Sequence, residues 1–555
     1  MPGAPSLVGC AVALLFWAQS LTPTLIPRSW ESQAGIGGTC LAVGYALGAL
    51  AGWCARILLK RQRRVPADAL RRYAWLLLGA AWPAAVLLGS LRWLGWQNEQ
   101  RGIMGITSLV ALDVVPMAAF SLLLGALLVV GGHAITRASS AGLRLVRRHV
   151  PGRALVPLTA LLVAVSAFVL GRDALFRSAA ALAESVYAPL NEETSEGTLP
   201  PRSASVSGSS ASFVAWDTLG RQGRDFVASA TTAHELAMFH GPAAALAEPV
   251  RVYVGVRSAG SVAERAQLAV RELERAGGFE RKVLVVWVPT GTGWMIPEAA
   301  AALEQLYRGD TAIVAMQYSF LPSLVGVFLD AGLANEAGRA LFSAVHARWS
   351  ALPTDRRPQL LLFGKSLGTA GVEAPFVGDD ASSSVANLVA ATDGALIVGP
   401  KHSNVIHAQL TRAREPTSPA WQPVFGRSVR FLNRESSSPA RSDDWPPPRI
   451  VYLQHPSDPV TFWGIDALWR APEWMDEPRG FDVPDALRWF PAVSGVQAVG
   501  DLLRQLDVPP GFGHVYATEY VRGWVSVAPP DGWDEADTER LERLIDDAAA
   551  AESDP

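Results

Sequence analysis

The chain has 555 residues, more than one hydrophobic core accommodates, so two or more domains are expected. Half of the residues are apolar, 18% are charged and the formal net charge is −3, a balance that points to membrane spans and away from a nucleic-acid partner. The three cysteines, Cys10, Cys40 and Cys54, lie close to the N-terminus, so the rest of the chain can hold neither a disulfide nor a thiolate metal site.

Five apolar segments of roughly spanning length open the chain, at about Leu7–Ile26, Ile36–Leu59, Tyr73–Leu91, Val114–Gly132 and Ala154–Gly171. Leu7-Val8-Gly9-Cys10 looks like a lipoprotein cleavage box, but no apolar run precedes it, and the first segment reads as a retained helix. Loop charge sets the expected orientation. Arg56, Lys60, Arg61, Arg63, Arg64, Arg71 and Arg72 crowd one loop, and Arg137, Arg144, Arg147, Arg148 and Arg153 another. The alternate loops hold only Arg28, Arg92 and Arg101, which assigns the basic loops and the N-terminus to the cytoplasm and everything after Gly171 to the outside.

The expected domains are therefore a helical transmembrane bundle over 1–175, a linker over 176–212 and a second domain over 213–555. Residues 191–212 are rich in Ser, Gly, Pro and acid, with few large apolar side chains, and read as a tether or surface loop.

From Phe213 the pattern alternates. Strands are expected at Val252–Val256, Lys282–Val288, Thr311–Gln317, Gln359–Phe363, Gly394–Gly399 and Ile450–Gln454. Helices are expected at Ser261–Ala276, with Ser261 as N-cap, at Pro297–Tyr307 and around Glu336–Ser350. Strands alternating with helices imply a doubly wound, mainly parallel sheet with its reacting groups at the carboxyl ends of the strands.

The chemistry is organised around Leu360-Leu361-Leu362-Phe363-Gly364-Lys365-Ser366-Leu367-Gly368. G-x-S-x-G between a buried strand and a helix is the nucleophile elbow, in which a strained turn pushes the serine hydroxyl outward. A serine needs a base, and the base needs an orienting carboxylate, in the chain order Ser, acid, His. Asp458 stands after a late strand in His455-Pro456-Ser457-Asp458-Pro459, whereas the rival Asp393 precedes its strand. Of the nine histidines only His514 follows Asp458, in the Gly/Pro-rich stretch Pro509–Tyr516. Val288-Pro289-Thr290-Gly291-Thr292-Gly293-Trp294 follows a buried strand, and its amides near Thr292 and Gly293, with that of Leu367, are the candidate oxyanion donors. Neither G-x-G-x-x-G nor a phosphate-binding G-x-x-x-x-G-K-[ST] is present, and no histidine pair has zinc-enzyme spacing, so no cofactor or metal is expected.

These residues resemble the bacterial membrane-anchored α/β-hydrolases, which join an N-terminal multi-helix domain to a C-terminal catalytic domain. The resemblance covers nearly the whole chain. It rests on Ala215-Trp216-Asp217-Thr218-Leu219-Gly220-Arg221-Gln222-Gly223, Pro289–Trp294, Ala312–Ser319, the elbow, Tyr452–His455 with Asp458-Pro459, and Gly513-His514-Val515-Tyr516. It implies an esterase- or lipase-like enzyme with Ser366, Asp458 and His514 as its triad. Lys365 departs from many relatives; a solvated side chain or a preference for anionic substrates are its two readings. The expected partners are the lipid bilayer and a small-molecule or lipid ester. An envelope acyltransferase would share every residue named, and a non-enzymatic membrane scaffold is the remaining alternative. The stretches Trp463–Trp474 and Trp489–Leu506 suit either an acyl pocket or plain packing.

Overall fold

A computed structural model describes residues 5–59, 68–147, 178, 181–242, 244–321, 332–436 and 445–553. Its contacts divide the chain into two compact units, Met1–Ser178 with Trp463–Pro509, and Ala179–Phe462 with Pro510–Pro555. The sequence analysis drew 213–555 as one domain; 463–509 instead groups with the N-terminal helices, through side chains hundreds of positions away that no local pattern reveals.

The first unit contains α1 (Leu7–Ser20), α2 (Trp30–Leu59), α3 (Asp68–Ile103) and α4 (Val114–Arg147). Among the described residues three stretches, Trp30–Ile57, Leu70–Ile103 and Ala111–Ala138, are long and apolar enough to cross a membrane. The first expected span is shorter than anticipated: α1 has 14 residues, about 21 Å of helix against a hydrocarbon core of about 30 Å. It packs on α2 at very short range. A Cβ on Gly48 would lie 2.6 Å from the Val8 carbonyl oxygen, so only glycine fits this contact. The expected fifth span, Ala154–Gly171, lies outside the described residues.

Where α1 ends, α2 begins and α3 ends, the unit buries polar groups. The Arg28 guanidinium donates to the Ser20 and Thr22 carbonyls, each at 2.9 Å, to Gln33 Oε1 at 2.6 Å and to Thr24 Oγ1 at 2.9 Å. Thr24 in turn donates to Asp501 Oδ1 at 2.6 Å. Asp501 sits on α9 (Val493–Leu503) and also accepts from the Leu25 amide and Trp463 Nε1. Val493, fully buried, clusters with Ile36 and Cys40 of α2.

The second unit is a seven-stranded sheet, wholly parallel, in the order β1-β3-β2-β4-β5-β7-β6. The strands are β1 (Val250–Val254), β2 (Val283–Val288), β3 (Thr311–Met316), β4 (Gln359–Lys365), β5 (Gly394–Val398), β6 (Val429–Leu432) and β7 (Arg449–Leu453). Six match the expected strands within a residue or two. The four-residue β6 is too short to give a pattern of its own. Between the strands run α5 (Val262–Arg275), α6 (Pro297–Leu306), α7 (Leu333–Ser350) and α8 (Leu367–Glu373), with α10 (Glu519–Val527) following the last strand. Ser261 caps α5 as expected, accepting from the Glu264 amide at 3.2 Å.

Residues 191–212 are packed rather than a free tether. Val206 is buried and bridges Arg251 of β1, and the Ser212 hydroxyl donates to the buried Glu272 at 2.6 Å. Hydrogen bonds along a strand edge order this segment where apolar burial could not.

Candidate active site

β4 lies at the centre of the sheet, and its last residue delivers Ser366 to a turn. Ser366 has φ 54° and ψ −123°, one of three non-glycine residues with positive φ among those described. Such a backbone is costly for any residue with a Cβ, by roughly 1–3 kcal/mol, and persists where the surroundings enforce it. They do so here. The Ser366 amide donates to the Val398 carbonyl at 3.0 Å, and its own carbonyl accepts from the Thr369 amide at 3.1 Å and from Thr369 Oγ1 at 2.5 Å. A Cβ on Gly368 would lie 2.2 Å from the Val288 carbonyl oxygen, so the helix start is pressed against the loop after β2. The elbow geometry read from the sequence is present. The Leu367 amide sits at the first position of α8, where an N–H has no intrahelical acceptor.

The acid and the imidazole meet. His514 Nδ1 donates to Asp458 Oδ2 at 2.7 Å, and both side chains are buried. Asp458 Oδ1 accepts from the Val460 amide at 2.9 Å. This fixes the tautomer: with Nδ1 carrying the proton toward Asp458, Nε2 of a neutral ring is a lone pair, and Nε2 is buried with no hydrogen-bond partner. The ring lies against Gly399, just past β5, where a Cβ would fall 2.5 Å from His514 Cε1. Gly399 follows the residue that receives the Ser366 amide, so the elbow and the imidazole share the carboxyl end of β5. Asp393 falls at the opposite end, where its carboxylate accepts from the Leu360 amide at the start of β4.

The oxyanion candidates are only partly assembled as expected. Gly293 has φ +85°, but its amide closes a turn onto the Thr290 carbonyl at 2.9 Å and is not turned toward a ligand. Its carbonyl accepts from Tyr253 Oη, and that of Thr292 from Gln317 Nε2. Leu367 and Thr292 remain as candidate donors; Gly293 does not.

Lys365 also differs from its expected solvated state. The side chain is 5% exposed, with Nζ 5.5 Å from the ring centre of Trp294, 5.7 Å from Tyr516 and 5.9 Å from Tyr520. Burial brings its pKa down to about 8, against the opposing pull of Glu298, Asp458 and Glu519. Alternation along β4 sends this side chain to the face opposite α8.

Several contributors escaped the sequence reading. Tyr516 Oη donates to Asp458 Oδ2 at 2.8 Å, beside the bond from His514. Asn404 Nδ2 donates to Thr369 Oγ1 at 2.8 Å, extending the support under Ser366. Glu373, on the nucleophile helix, accepts from the Ile406 amide and from Tyr452 Oη, and burial raises its carboxyl to about 7. Asn404 and Glu373 carry no local motif; Tyr516 stands inside Gly513-His514-Val515-Tyr516, but its bond to Asp458 was not read from it.

Two family models match the chain. One described as alpha/beta-hydrolase family covers residues 250–541, and one described as alpha/beta-hydrolase family N-terminus covers residues 21–230. No curated protein and no solved structure matches it.

Proposed function

The chain belongs to the α/β-hydrolase family, and from that premise we propose that it is a membrane-anchored serine hydrolase that cleaves an ester through Ser366, His514 and Asp458. The observations that carry this reading are Ser366 at φ 54°, its amide bonded to Val398, and, against the next residue, Gly399, a histidine whose outward nitrogen is buried and unpartnered while its inner nitrogen is bonded to an acid. In the proposed reaction Nε2 of His514 takes the Ser366 proton as the hydroxyl oxygen attacks the ester carbonyl. Asp458 stabilises the imidazolium. The Leu367 amide, at a helix N-terminus, and the Thr292 amide receive the oxyanion. His514 then gives its proton to the departing alcohol, and water releases the acyl group by the same route in reverse.

Three long apolar helices indicate association with a membrane, which supports a lipid or envelope ester as substrate. The loop-charge count supports a catalytic domain outside the cytoplasm. The 463–509 stretch docks on the 20–25 turn after α1, which the loop-charge count also places outside.

A fluorophosphonate probe tests the mechanism on the full chain in detergent. Labelling of the wild type that disappears in Ser366→Ala is the expected result. Equal labelling of both removes Ser366 from the chemistry.

A further inference from the structure

We propose that His455 and Glu519 form a second histidine–carboxylate pair that holds the His514 loop in register with Asp458, which makes His455 a positioning residue for the reaction. The inference rests on the triad proposed above. It begins with Gly513, the residue before His514. Its amide donates to Ser457 Oγ at 2.9 Å, and its carbonyl lies 2.9 Å from His455 Nδ1. Both backbone polar groups of that residue are thus gripped by the 455–458 stretch that ends in Asp458. The register between acid and base is set there as well as by their own hydrogen bond.

The proton count on His455 follows from its partners. A carbonyl oxygen only accepts, so Nδ1 carries a hydrogen. Nε2 lies 3.0 Å from Glu519 Oε1, and Glu519 Oε2 accepts from the Ala517 amide at 2.9 Å. Burial pushes the Glu519 carboxyl up, but the hydrogen bond from His455 and its charge outweigh this and leave it below its ordinary value. Glu519 is therefore a carboxylate, and a ring set between two acceptors carries two protons. His455 is fully buried, so this imidazolium is shielded from bulk solvent.

The charge is placed where it reaches the reacting pair. The His455 ring stacks on Tyr516, with centroids 4.2 Å apart and planes 15° apart, and Tyr516 Oη donates to the same Asp458 oxygen that His514 uses. Ionisable groups near the pair include Asp458 at the end of its own loop, His514 and Tyr516 on the facing loop, Lys365 on β4 beyond the Tyr516 ring, and, around Glu519 of α10, Arg434, Arg522, Glu542 and Asp546. Loss of one ring proton would set a nitrogen lone pair against either the Gly513 carbonyl or the Glu519 carboxylate. The loop would then be released on that side.

The labelling rate of the full chain, followed against pH, tests this. Loss of labelling in Ser366→Ala is checked first; if it fails, the triad falls and this inference with it. His455→Gln keeps a donor for Gly513 but removes the cation. Gln cannot bridge Gly513 to Glu519, so the labelling rate should drop by a factor on the order of 10² as the His514 loop loses its tie to α10. The acid limb should move up by about one unit, because His514 no longer protonates beside a positive ring. Glu519→Gln takes away the carboxylate that holds the second ring proton, so His455 becomes neutral; its labelling rate should also fall, and its acid limb should lie between those of the wild type and His455→Gln. A purely structural pair would lower the melting temperature and leave the limb where it is in the wild type, and that result overturns the proposal. Should both variants fail to fold, the wild type labelled with 15N at histidine decides: one of nine rings should remain doubly protonated at about pH 8. Nine neutral rings there would overturn it equally.

Discussion

The two units place their apolar runs differently. In the sheet unit the apolar runs are the interior: Leu360, Leu361, Leu362 and Phe363 of β4 are all essentially inaccessible. In the helical unit an apolar cluster around Trp17, Leu41 and Trp93 is buried, but much of α3 and α4 faces outward, with Leu77 72% exposed and Leu127 60% exposed, and Arg28, Gln97, Gln100 and Asp501 lie inside. An apolar run says only that a segment shuns water. A run of five to seven residues is satisfied inside the protein, and one of 28 or more by whatever surrounds the bundle.

The same contrast separates two buried aspartates. Asp458 holds an imidazole, whereas Asp501 takes the hydroxyl of Thr24, itself bonded to Arg28. Asparagine at each should therefore produce opposite phenotypes. Asp458→Asn should cost about 10⁴ in turnover of an activated ester, through the wrong histidine tautomer, with the melting temperature little changed. A drop of less than tenfold would take Asp458 out of the triad. Asp501→Asn removes the carboxylate that accepts from Thr24, the Leu25 amide and Trp463 and should cost about 1–3 kcal/mol of stability, with the labelling rate of the folded fraction preserved. Unfolding in detergent, scored against labelling on the same sample, distinguishes the two.

Glu373 gives an effect of comparable size with a defined sign. Its carboxyl is raised from 4.5 to about 7 by burial, so the folded protein keeps a proton that the unfolded chain has released. Stability from this group is complete below about pH 4.5 and falls by about 3 kcal/mol as the pH rises through 7. Glu373→Gln should remove that decline, so the variant gains on the wild type between pH 5 and about 8; parallel profiles would mean that Glu373 is ionised throughout. The smallest effect belongs to Leu77→Ala, which should change stability by less than about 0.5 kcal/mol because the side chain packs on little within the protein. A loss the size of a core truncation would mean that the outward face of α3 has a protein partner.

The strands and the elbow were legible because each is a local pattern. Five of the six longer strands hold continuous apolar runs and β1 is broken only by Arg251, and G-x-S-x-G marks a close approach of backbones that the structure shows at Gly368 and Val288. Asp458 and His514 were legible through chain order and their place after the last long strand. Lys365 was misread because its neighbours in sequence say nothing of the three rings that enclose it, which come from the β2 loop, the His514 loop and α10. His455 was set aside as a base because it precedes Asp458, and its hydrogen bonds to Gly513 and Glu519 cross 58 and 64 positions. Gly293 was assigned as a donor from its residue type, whereas the turn that glycine permits is what occupies its amide.

The grouping of 463–509 with the N-terminal helices has a practical consequence for anyone wishing to study the hydrolase part alone. Removing residues 1–178 would not yield a tidy secreted enzyme. It would strip the cover from Val493, strand the Asp501 carboxylate without Thr24 and Leu25, and leave a sticky flap spliced between positions 458 and 514. A shortened version intended for crystallisation should lose that flap too, with a brief bridge joining 462 to 510.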